Sequence, residues 1–368
     1  MRAFVLRPRR AAARFCRICV GRGALRALVR EVRAARPARV VVISDSTVAL
    51  LHARALCIAL RRNGLRVDLV AFPAGERAKT RRTKAALEDR LAALGADRDT
   101  TIVAMGGGVT TDLAGFVAAT WHRGVPVVHV PTSLLAMVDA AIGGKTGVNL
   151  PAGKNLVGCF HQPRGVYADP DMLRTLAPRR YVEGLAEVIK TAVVTDAAFF
   201  AWLERNAAAL RDREPAVVER AILRAIRGKL SIVTQDERDE GRRQVLNFGH
   251  TVGHAIEAAS GYRVPHGLAV AIGLVAEARV AVRRSGFPAA DLARLERLVV
   301  ALGLPARPPA KLSIDAVLAA TRSDKKARAG GPRCALPRAI GRMGAGRAVT
   351  VAVTRADLRA ALRHRRTD

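Results

Sequence analysis

Three histidines lie close together in the second half of the sequence. His250, His254 and His266 are three of the eight histidines in the chain and fall within seventeen residues. His250 and His254 are four positions apart, so they would share one face of a helix. Neutral imidazoles with one carboxylate are typical of a catalytic zinc site that keeps an open position. Glu187, in an otherwise apolar helical stretch, is a good candidate for that carboxylate. A single histidine is more often structural, however, and Glu187 could form an ordinary helical ion pair with Lys190.

Lysine is scarce in this chain, so the positions of the lysines are informative. Nine lysines stand against 53 arginines. Cations near glycines and motif residues are what a substrate with a phosphate and a carboxylate would need; here they are Lys145, Lys154, Lys190, Lys229, Arg243, Lys325 and Lys326. For any one of them, a solvated surface cation is the alternative. Gly-Gly-Lys-Thr at Lys145 resembles the end of a Walker A motif, but Asp139 stands where that motif needs its first glycine, which excludes a P-loop.

A glycine-rich segment, MGGGVTTD at residues 105–112, follows a predicted strand and precedes a predicted helix. Glycines at such a turn let backbone N–H groups approach a phosphate, and the helix N-terminus supplies partial positive charge. A tight turn without a ligand is the alternative interpretation. The pattern differs from the G-x-G-x-x-G fingerprint, so an NAD site here would be of another subtype.

The elements that must position these residues differ between the two halves. In the first half, β-branched runs at 40–44, 67–72, 101–105 and 125–130 alternate with helical patterns at 48–63, 78–94 and 113–120. This alternation predicts an α/β doubly wound parallel sheet, Rossmann-like and NAD-binding. From about residue 181, helical patterns at 197–210, 216–234, 267–285 and 290–303 predict a mainly α-helical domain with short strands at 334–340 and 348–353. We place the boundary in the turn-rich segment 163–178, giving domains 1–175 and 176–368.

Composition limits the classes of protein. Half of the 368 residues are hydrophobic, which excludes global disorder. No apolar run reaches the ~18–20 residues of a membrane span, and we expect no signal peptide. Five cysteines form no disulfide framework, which favours a reducing cytoplasm, and we interpret the C-x-x-C at Cys16 and Cys19 as incidental. The net charge of +31 is compatible with nucleic acid, a membrane surface or acidic small molecules. Because the arginines are scattered and aromatic residues make up 4%, we favour a solvated basic surface without a specific nucleic-acid partner.

In these motifs the sequence resembles the 3-dehydroquinate synthase family of sugar-phosphate cyclases. The resemblance extends from about Val40 to Arg342. It rests on GGGV at 106–109, Asp112, RG at 123–124, PTSLLA at 131–136, VD at 138–139, GGK at 143–145, GKN at 153–155, GLAEVIK at 184–190, LNFGHTVGHA at 246–255, HG at 266–267 and DKK at 324–326.

The resemblance implies a set of site residues, NAD and a divalent metal, Zn²⁺ or Co²⁺. Glu187, His250 and His266 would be the metal ligands, whereas His254 would act near the substrate phosphate. Catalytic residues would be His254, Lys145, Lys190, Lys229, Arg243 and Asn247; the substrate would also meet Asp139, Asn155, Lys326 or Lys325, and Arg123 of the neighbouring subunit, which implies a homodimer. NAD would contact Asp45, Glu76, Lys79, Gly107, Gly108, Asp112, Thr132, Ser133, Asp139, Lys145 and Lys154. Two positions depart from the family pattern: Thr111 replaces a glycine and Leu268 replaces a glutamate.

The implied reaction converts 3-deoxy-D-arabino-heptulosonate 7-phosphate to 3-dehydroquinate and phosphate, a step of the shikimate pathway to chorismate and the aromatic amino acids. It combines transient oxidation by NAD, β-elimination of phosphate, re-reduction and an intramolecular aldol closure. The nearest alternative is a cyclase of secondary metabolism that acts on another heptulose or hexose phosphate. A metal-dependent polyol dehydrogenase of the same fold and a polyanion-binding protein are more distant alternatives, because neither needs the ordered lysine motifs.

Overall fold

The structure is a computed structural model that describes residues 15–321, 331–344 and 349–363. The chain divides into two compact units. The first comprises the described part of Met1–Pro131 together with Gly144–Asp169, and the second comprises Thr132–Gly143 together with the described part of Pro170–Asp368. The assignment of functional domains to 1–175 and 176–368 stays a prediction.

The first unit is built on a parallel sheet. Its strands are β1 (Arg17–Val20), β2 (Arg39–Asp45), β3 (Val67–Phe72), β4 (Thr100–Gly106), β5 (Val127–Pro131), β6 (Lys145–Leu150), β7 (Gly153–Phe160) and β8 (Gly165–Ala168). Six of them form one sheet in the order β1-β8-β5-β4-β2-β3, with every neighbouring pair parallel. The four residues Val40, Val41, Val42 and Ile43 are completely buried, as expected of a central strand covered on both faces.

Helices connect these strands. They are α1 (Ala24–Ala35), α2 (Ser46–Val48), α3 (Arg54–Arg62), α4 (Arg81–Ala93) and α5 (Gly108–Thr120), with a π-helical segment (Ala49–Ala53) that joins α2 to α3. Leu56, Cys57 and Leu60 form the buried face of α3, in agreement with the helical spacing of its apolar residues. The predicted fold class, a doubly wound parallel sheet, is confirmed.

Four strands of the first unit were not predicted from the sequence. β1 and β8 pair in parallel at the sheet edge, and β6 and β7 form a separate antiparallel hairpin. The two strands of the hairpin approach so closely that a Cβ on Gly158 would lie 1.9 Å from the Thr146 carbonyl oxygen, so glycine is required there. Because glycine is rare in strands, its presence makes the hairpin hard to predict from the sequence. Cys19 lies within β1, and none of the five cysteines, all of which the structure describes, forms a disulfide.

The second unit is mainly helical, as predicted. Its helices are α6 (Pro178–Thr195), α7 (Ala197–Arg205), α8 (Ala207–Arg211), α9 (Pro215–Val233), α10 (His250–Ala259), α11 (His266–Arg284), α12 (Ala289–Ala301), α13 (Ile314–Ala320) and α14 (Arg355–Arg363). Prolines begin α6 and α9, where their missing N–H is not needed. Short antiparallel pairs join β9 (Arg333–Cys334) to β12 (Val351–Ala352) and β10 (Pro337–Ala339) to β11 (Arg342–Met343).

Two helices of this unit are buried almost all round. In α6 every residue from Glu183 to Val194 is buried, and in α11 the same holds from Ala269 to Ala278. Such helices form the interior of a domain, so side chains on them are held rigidly. Within the described residues, no helix has the length and apolar character needed to cross a membrane.

Candidate functional site

Glu187, His250 and His266 come together in the second unit. Glu187 lies in the middle of α6, and the two histidines are the first residues of α10 and α11. Both Nε2 atoms lie 3.5 Å from Glu187 Oε1, and the candidate ligand atoms of the three residues lie within 4.8 Å of one another. Glu187 is fully buried, and Lys190 Nζ pairs with its other oxygen, Oε2, at 2.5 Å. A buried carboxylate that faces two imidazole nitrogens fits a divalent metal ion.

Glycines allow the three helices to approach so closely. A Cβ on Gly267 would lie 2.2 Å from the Glu183 carbonyl oxygen, where α11 begins against α6. A Cβ on Gly273 would lie 1.9 Å from the Gly249 carbonyl oxygen, where α11 passes the start of α10. Real Cβ atoms essentially never come closer than 3.0 Å to such an atom, so only glycine permits this packing.

The charges of the cluster are strongly coupled. Burial would raise the pKa of Glu187, but Lys190 outweighs it and the pKa falls to about 2. Burial and the nearby Lys190 ammonium lower the pKa of His250 well below its usual value. Burial would also lower the pKa of His266, but Glu257 and Glu187 raise it to about 10. In the absence of metal, the carboxylate is therefore ionised, His250 is neutral, and His266 holds a proton that a metal ion would have to displace.

His254 lies beside the cluster rather than against Glu187. Its ring centroid is 5.3 Å from that of His250 and 5.8 Å from that of His266, and its side chain is exposed. It also belongs to a second possible ligand set with Glu257 and His266. The sequence spacing could have paired His250 with His254, but the geometry groups His250 and His266 with Glu187.

Buried cations surround Asp139, close to Glu187. Asp139 lies in a π-helical segment (Ala136–Ala140), and Lys229 Nζ donates both to its carboxylate, at 2.7 Å, and to its carbonyl oxygen. Lys190 Nζ is 3.8 Å from the same carboxylate oxygen. Burial would raise the pKa of Asp139, but Lys190 and Lys229 hold it well below its usual range. Burial lowers the pKa of Lys229 to about 8, and the neighbouring cations Lys190 and Arg243 add to the effect against the pull of Asp139.

Arg243 completes this group of buried cations. Its Nη1 donates to the carbonyl oxygens of Gly143, at 2.9 Å, and Glu237, at 2.5 Å, and the residue is 3% exposed. Asn247, another predicted substrate residue, ends the short 3₁₀ helix that Arg242 begins. The second unit thus places Asp139, Lys190, Lys229 and Arg243 beside the candidate metal ligands.

The predicted NAD residues of the first unit group around the glycine turn. β4 ends at Gly106, Gly107 precedes α5, and no side chain caps the N-terminus of α5, which leaves its first N–H groups for an anion. Lys79 pairs with Asp112 and also donates to Asn155 Oδ1 at 2.6 Å. Thr111, the departure from the family pattern, is buried, and its hydroxyl donates to the Gly108 carbonyl oxygen at 3.1 Å within the helix.

Other predicted contacts of NAD flank this group. Asp45 Oδ1 accepts the Thr47 and Val48 N–H groups at 3.0 Å, and its other oxygen is 3.4 Å from Thr110 Oγ1. Glu76 accepts from Asn149 at 2.7 Å and lies 3.7 Å from Lys154 Nζ.

The remaining predicted residues are divided between the units. Arg123, Lys145 and Asn155 belong to the first unit, whereas Thr132 and Ser133 belong to the second. Lys325 and Lys326 lie outside the described residues. Sequence reasoning missed Glu257 and Glu277, two buried carboxylates next to the histidines. Their signal was an acid in an otherwise apolar helical stretch, the same signal that identified Glu187.

Comparison with known proteins gives the same family for both units. The family model described as 3-dehydroquinate synthase N-terminal matches residues 69–183, and the one described as 3-dehydroquinate synthase C-terminal matches residues 184–327. The 3-dehydroquinate synthase of Nostoc punctiforme is 45% identical over 311 residues, which cover 82% of this chain and 84% of the relative.

Two solved structures resemble the whole fold. A 2-deoxy-scyllo-inosose synthase complexed with carbaglucose-6-phosphate, NAD⁺ and Co²⁺ has a TM-score of 0.87 at 28% identity, covering 94% of this chain and 96% of the other. A 2-epi-5-epi-valiolone synthase from Streptomyces hygroscopicus subsp. jinggangensis with NAD⁺ and Zn²⁺ bound has a TM-score of 0.85 at 30% identity, covering 98% of both chains. On the matches of both family models and the identity to the curated relative, the chain belongs to the 3-dehydroquinate synthase family.

Proposed function

We propose that this chain is a 3-dehydroquinate synthase, an NAD- and divalent-metal-dependent carbon–oxygen lyase. It converts 3-deoxy-D-arabino-heptulosonate 7-phosphate to 3-dehydroquinate and phosphate. The observation that carries the proposal is the pairing of half-buried Asp139 with the buried Lys190 and Lys229 beside Glu187, in a chain 45% identical to a curated 3-dehydroquinate synthase.

The residues fit both a divalent metal ion and NAD. Glu187, His250 and His266 would hold Zn²⁺ or Co²⁺, and the uncapped N-terminus of α5 with Asp45, Glu76, Lys79, Asp112 and Lys154 would hold NAD. When bound, NAD would supply a reversible hydride acceptor for C5 of the substrate, and the metal ion would supply a Lewis acid for the substrate hydroxyl groups.

Lys190, Lys229 and Arg243 would bind the carboxylate and phosphate of the substrate. Each is at most 5% exposed, and Lys190 and Lys229 both lie next to Asp139. Their buried positive charges, with that of a divalent ion, are complementary to the ionised carboxylate and phosphate of a sugar phosphate acid. In a buried site, such complementarity orients the substrate more strongly than it would in water.

The same cations determine which group can take the C6 proton. Elimination breaks the C7–O bond, and its electrons leave with the phosphate while a base removes the proton from C6. Asp139 is a poor base, because Lys229 and Lys190 keep its pKa low. We therefore assign the proton to an oxygen of the departing phosphate, and the cations hold the phosphate in place for that transfer.

Three further predictions accompany this function. We propose a homodimer in which Arg123 of one subunit reaches the substrate phosphate of the other, a cytoplasmic location, and substrate contacts from Lys145, Asn155, Asn247 and His254. The alternative substrate class, another heptulose or hexose phosphate, is favoured by the fold similarity to two cyclases with other products. Identity is nevertheless higher to 3-dehydroquinate synthases, at 45% against 28% and 30%.

The test is phosphate release by the metal-loaded protein with NAD. 3-Deoxy-D-arabino-heptulosonate 7-phosphate and sedoheptulose 7-phosphate are assayed in parallel, with EDTA treatment and Glu187→Ala as controls. Phosphate and 3-dehydroquinate from the first substrate, lost in both controls, are the expected result. Turnover of the second substrate alone would assign the protein to the secondary-metabolite cyclases, and no release from either by a folded, metal-loaded protein would refute the proposal.

A further inference from the structure

In each histidine of the candidate metal site, Nδ1 lies next to an oxygen that can only accept a hydrogen bond. His266 Nδ1 is 3.0 Å from Glu257 Oε2, and His250 Nδ1 is 3.2 Å from the Phe248 carbonyl oxygen. Because an ionised carboxylate and a carbonyl cannot donate, Nδ1 must carry the proton in both rings. With Nδ1 protonated, Nε2 is the atom of each ring that is left to bind a metal ion, at His266 after loss of its second proton, and in both rings it faces Glu187 Oε1.

A second buried carboxylate holds the turn that precedes His250. Glu277 is completely buried in α11, and its two oxygens accept the N–H groups of Gly249, at 2.8 Å, and Val252, at 2.9 Å. Gly249 adopts a left-handed conformation with φ +80°, and no side chain of α10 itself caps this end. Glu277 therefore fixes the backbone on both sides of His250, including the turn that directs the Phe248 carbonyl to the ring.

The two contacts are reciprocal between the helices. Glu257 of α10 holds His266, the first residue of α11, while Glu277 of α11 holds the first turn of α10, which begins at His250. Both carboxylates are at most 1% exposed, so neither contact is weakened by competing water.

We propose that Glu257 and Glu277 form a carboxylate clamp, two positioning residues that set the tautomer and position of the histidine ligands. The inference rests on the proposed function only in taking Glu187, His250 and His266 as the metal ligands. Partners of this kind fix the orientation of a ligating imidazole and raise its basicity, and their loss typically weakens metal binding 10–100-fold. Ligand placement matters because metal–ligand distances tolerate only about 0.2 Å of error.

The test compares Glu257→Gln and Glu277→Gln with a matched control, Glu296→Gln. Glu296 pairs with Arg279 outside the cluster. Three quantities are measured on the full chain: the Zn²⁺ dissociation constant by competition with a chromophoric chelator, the visible absorption spectrum of the Co²⁺ form, and the melting temperature of the metal-free protein. We expect both clamp variants to bind Zn²⁺ at least tenfold more weakly and to shift the Co²⁺ spectrum, whereas Glu296→Gln changes neither.

Other outcomes would overturn the clamp. The proposal is wrong if both clamp variants keep the Zn²⁺ affinity and the Co²⁺ spectrum of the wild type. It is also wrong if weaker Zn²⁺ binding is accompanied by a lower metal-free melting temperature and an unchanged Co²⁺ spectrum, because that combination indicates a purely structural role. A second Zn²⁺ equivalent that disappears in both Glu257→Gln and His254→Ala would make Glu257 a ligand instead. Unaltered Zn²⁺ binding by Glu187→Gln would show that Glu187, His250 and His266 are not the metal site. Failure of the proposed function is distinguishable, because there the wild type binds Zn²⁺ through Glu187 but releases no phosphate.

Discussion

Replacing Gly273 by alanine tests whether the packing of α10 against α11 determines the metal site. The new Cβ would lie 1.9 Å from the Gly249 carbonyl oxygen, and real Cβ atoms keep at least 3.0 Å. The helices must therefore separate by about 1.1 Å at this point. The obstructing atom is backbone, so no side-chain rotation relieves the clash. Residue 249 directly precedes His250, and hence His250 moves away from Glu187 and His266.

The size of the effect follows from that displacement. Overpacking of a core costs about 1–3 kcal/mol. For a unit of roughly 200 residues, each kcal/mol lowers the melting temperature by about 2–4 °C, so a fall of about 2–12 °C is expected. A shift of about 1 Å is several times the 0.2 Å that metal–ligand geometry tolerates, and we expect Zn²⁺ affinity to fall at least tenfold.

Calorimetry on the metal-free protein and chelator competition measure these two effects separately. Gly344→Ala is the matched control, since a Cβ there has no heavy atom of the described residues within 4 Å. The reasoning is refuted if Gly273→Ala binds Zn²⁺ as tightly as Gly344→Ala does. Such a result would mean that the ligands reach the metal independently of the register between the two helices.

Three further predictions concern separate parts of the chain. Because the pKa of Lys229 is about 8, its positive charge is present below pH 8 and is lost as the pH rises through that value, so kcat/KM should fall above pH 8. In Lys229→Arg, which retains its charge, the fall should move to higher pH. Lys79→Met leaves Asp112 without its buried cation and should weaken NAD binding, measured by fluorescence titration, at least tenfold while Zn²⁺ affinity stays unchanged. Tyr181→Phe removes the 2.7 Å hydrogen bond to the buried Leu210 carbonyl, which keeps the Arg213 N–H at 3.2 Å, and should lower the free energy of unfolding in urea by about 0.5–1.5 kcal/mol.

Each of these has an outcome that contradicts it. An identical pH profile in Lys229→Arg and the wild type would show that the fall in kcat/KM is not caused by titration of Lys229. If Lys79→Met binds NAD as tightly as the wild type does, the ion pair of Lys79 with Asp112 does not contribute to NAD binding. For Tyr181→Phe, an unchanged urea midpoint would show that the Arg213 N–H alone satisfies the Leu210 carbonyl and that the tyrosine hydroxyl adds no stability.

The sequence predicted the elements with strong hydrophobic patterns and failed where glycine or pairing partners determine structure. Buried runs such as β2 and β4 were predicted within one or two residues at each end, because their composition is almost entirely β-branched or apolar. The hairpin of β6 and β7 was missed, since glycines at 147 and 158 and polar residues hide its alternation.

In the site, a similar distinction applies. Histidine spacing and an acid in an apolar helix made Glu187 and the three histidines candidates, and only the family resemblance selected Glu187, His250 and His266. The structure brings these three together, but their role as metal ligands stays a prediction. The contact of Lys229 with Asp139 spans 90 residues of sequence, and no local pattern encodes it. The same is true of Glu277, whose role depends on backbone N–H groups that any residue could supply.

The pairing of α10 with α11 explains the separation of sixteen positions between His250 and His266. Three contacts define an antiparallel register: Glu257 with His266, Gly253 with Val270, and Gly249 with Gly273. A slip of one helical turn would shift His266 by about 5.4 Å relative to α10, more than twice a metal–nitrogen bond of about 2.0 Å. Glycines at 253 and 273 permit one close register, and the carboxylates of Glu257 and Glu277 satisfy polar groups in that register. The position of the candidate metal ligands is thus a property of the helix pair. A substitution that disturbs this register should therefore affect metal binding even when the substituted residue contacts no candidate ligand.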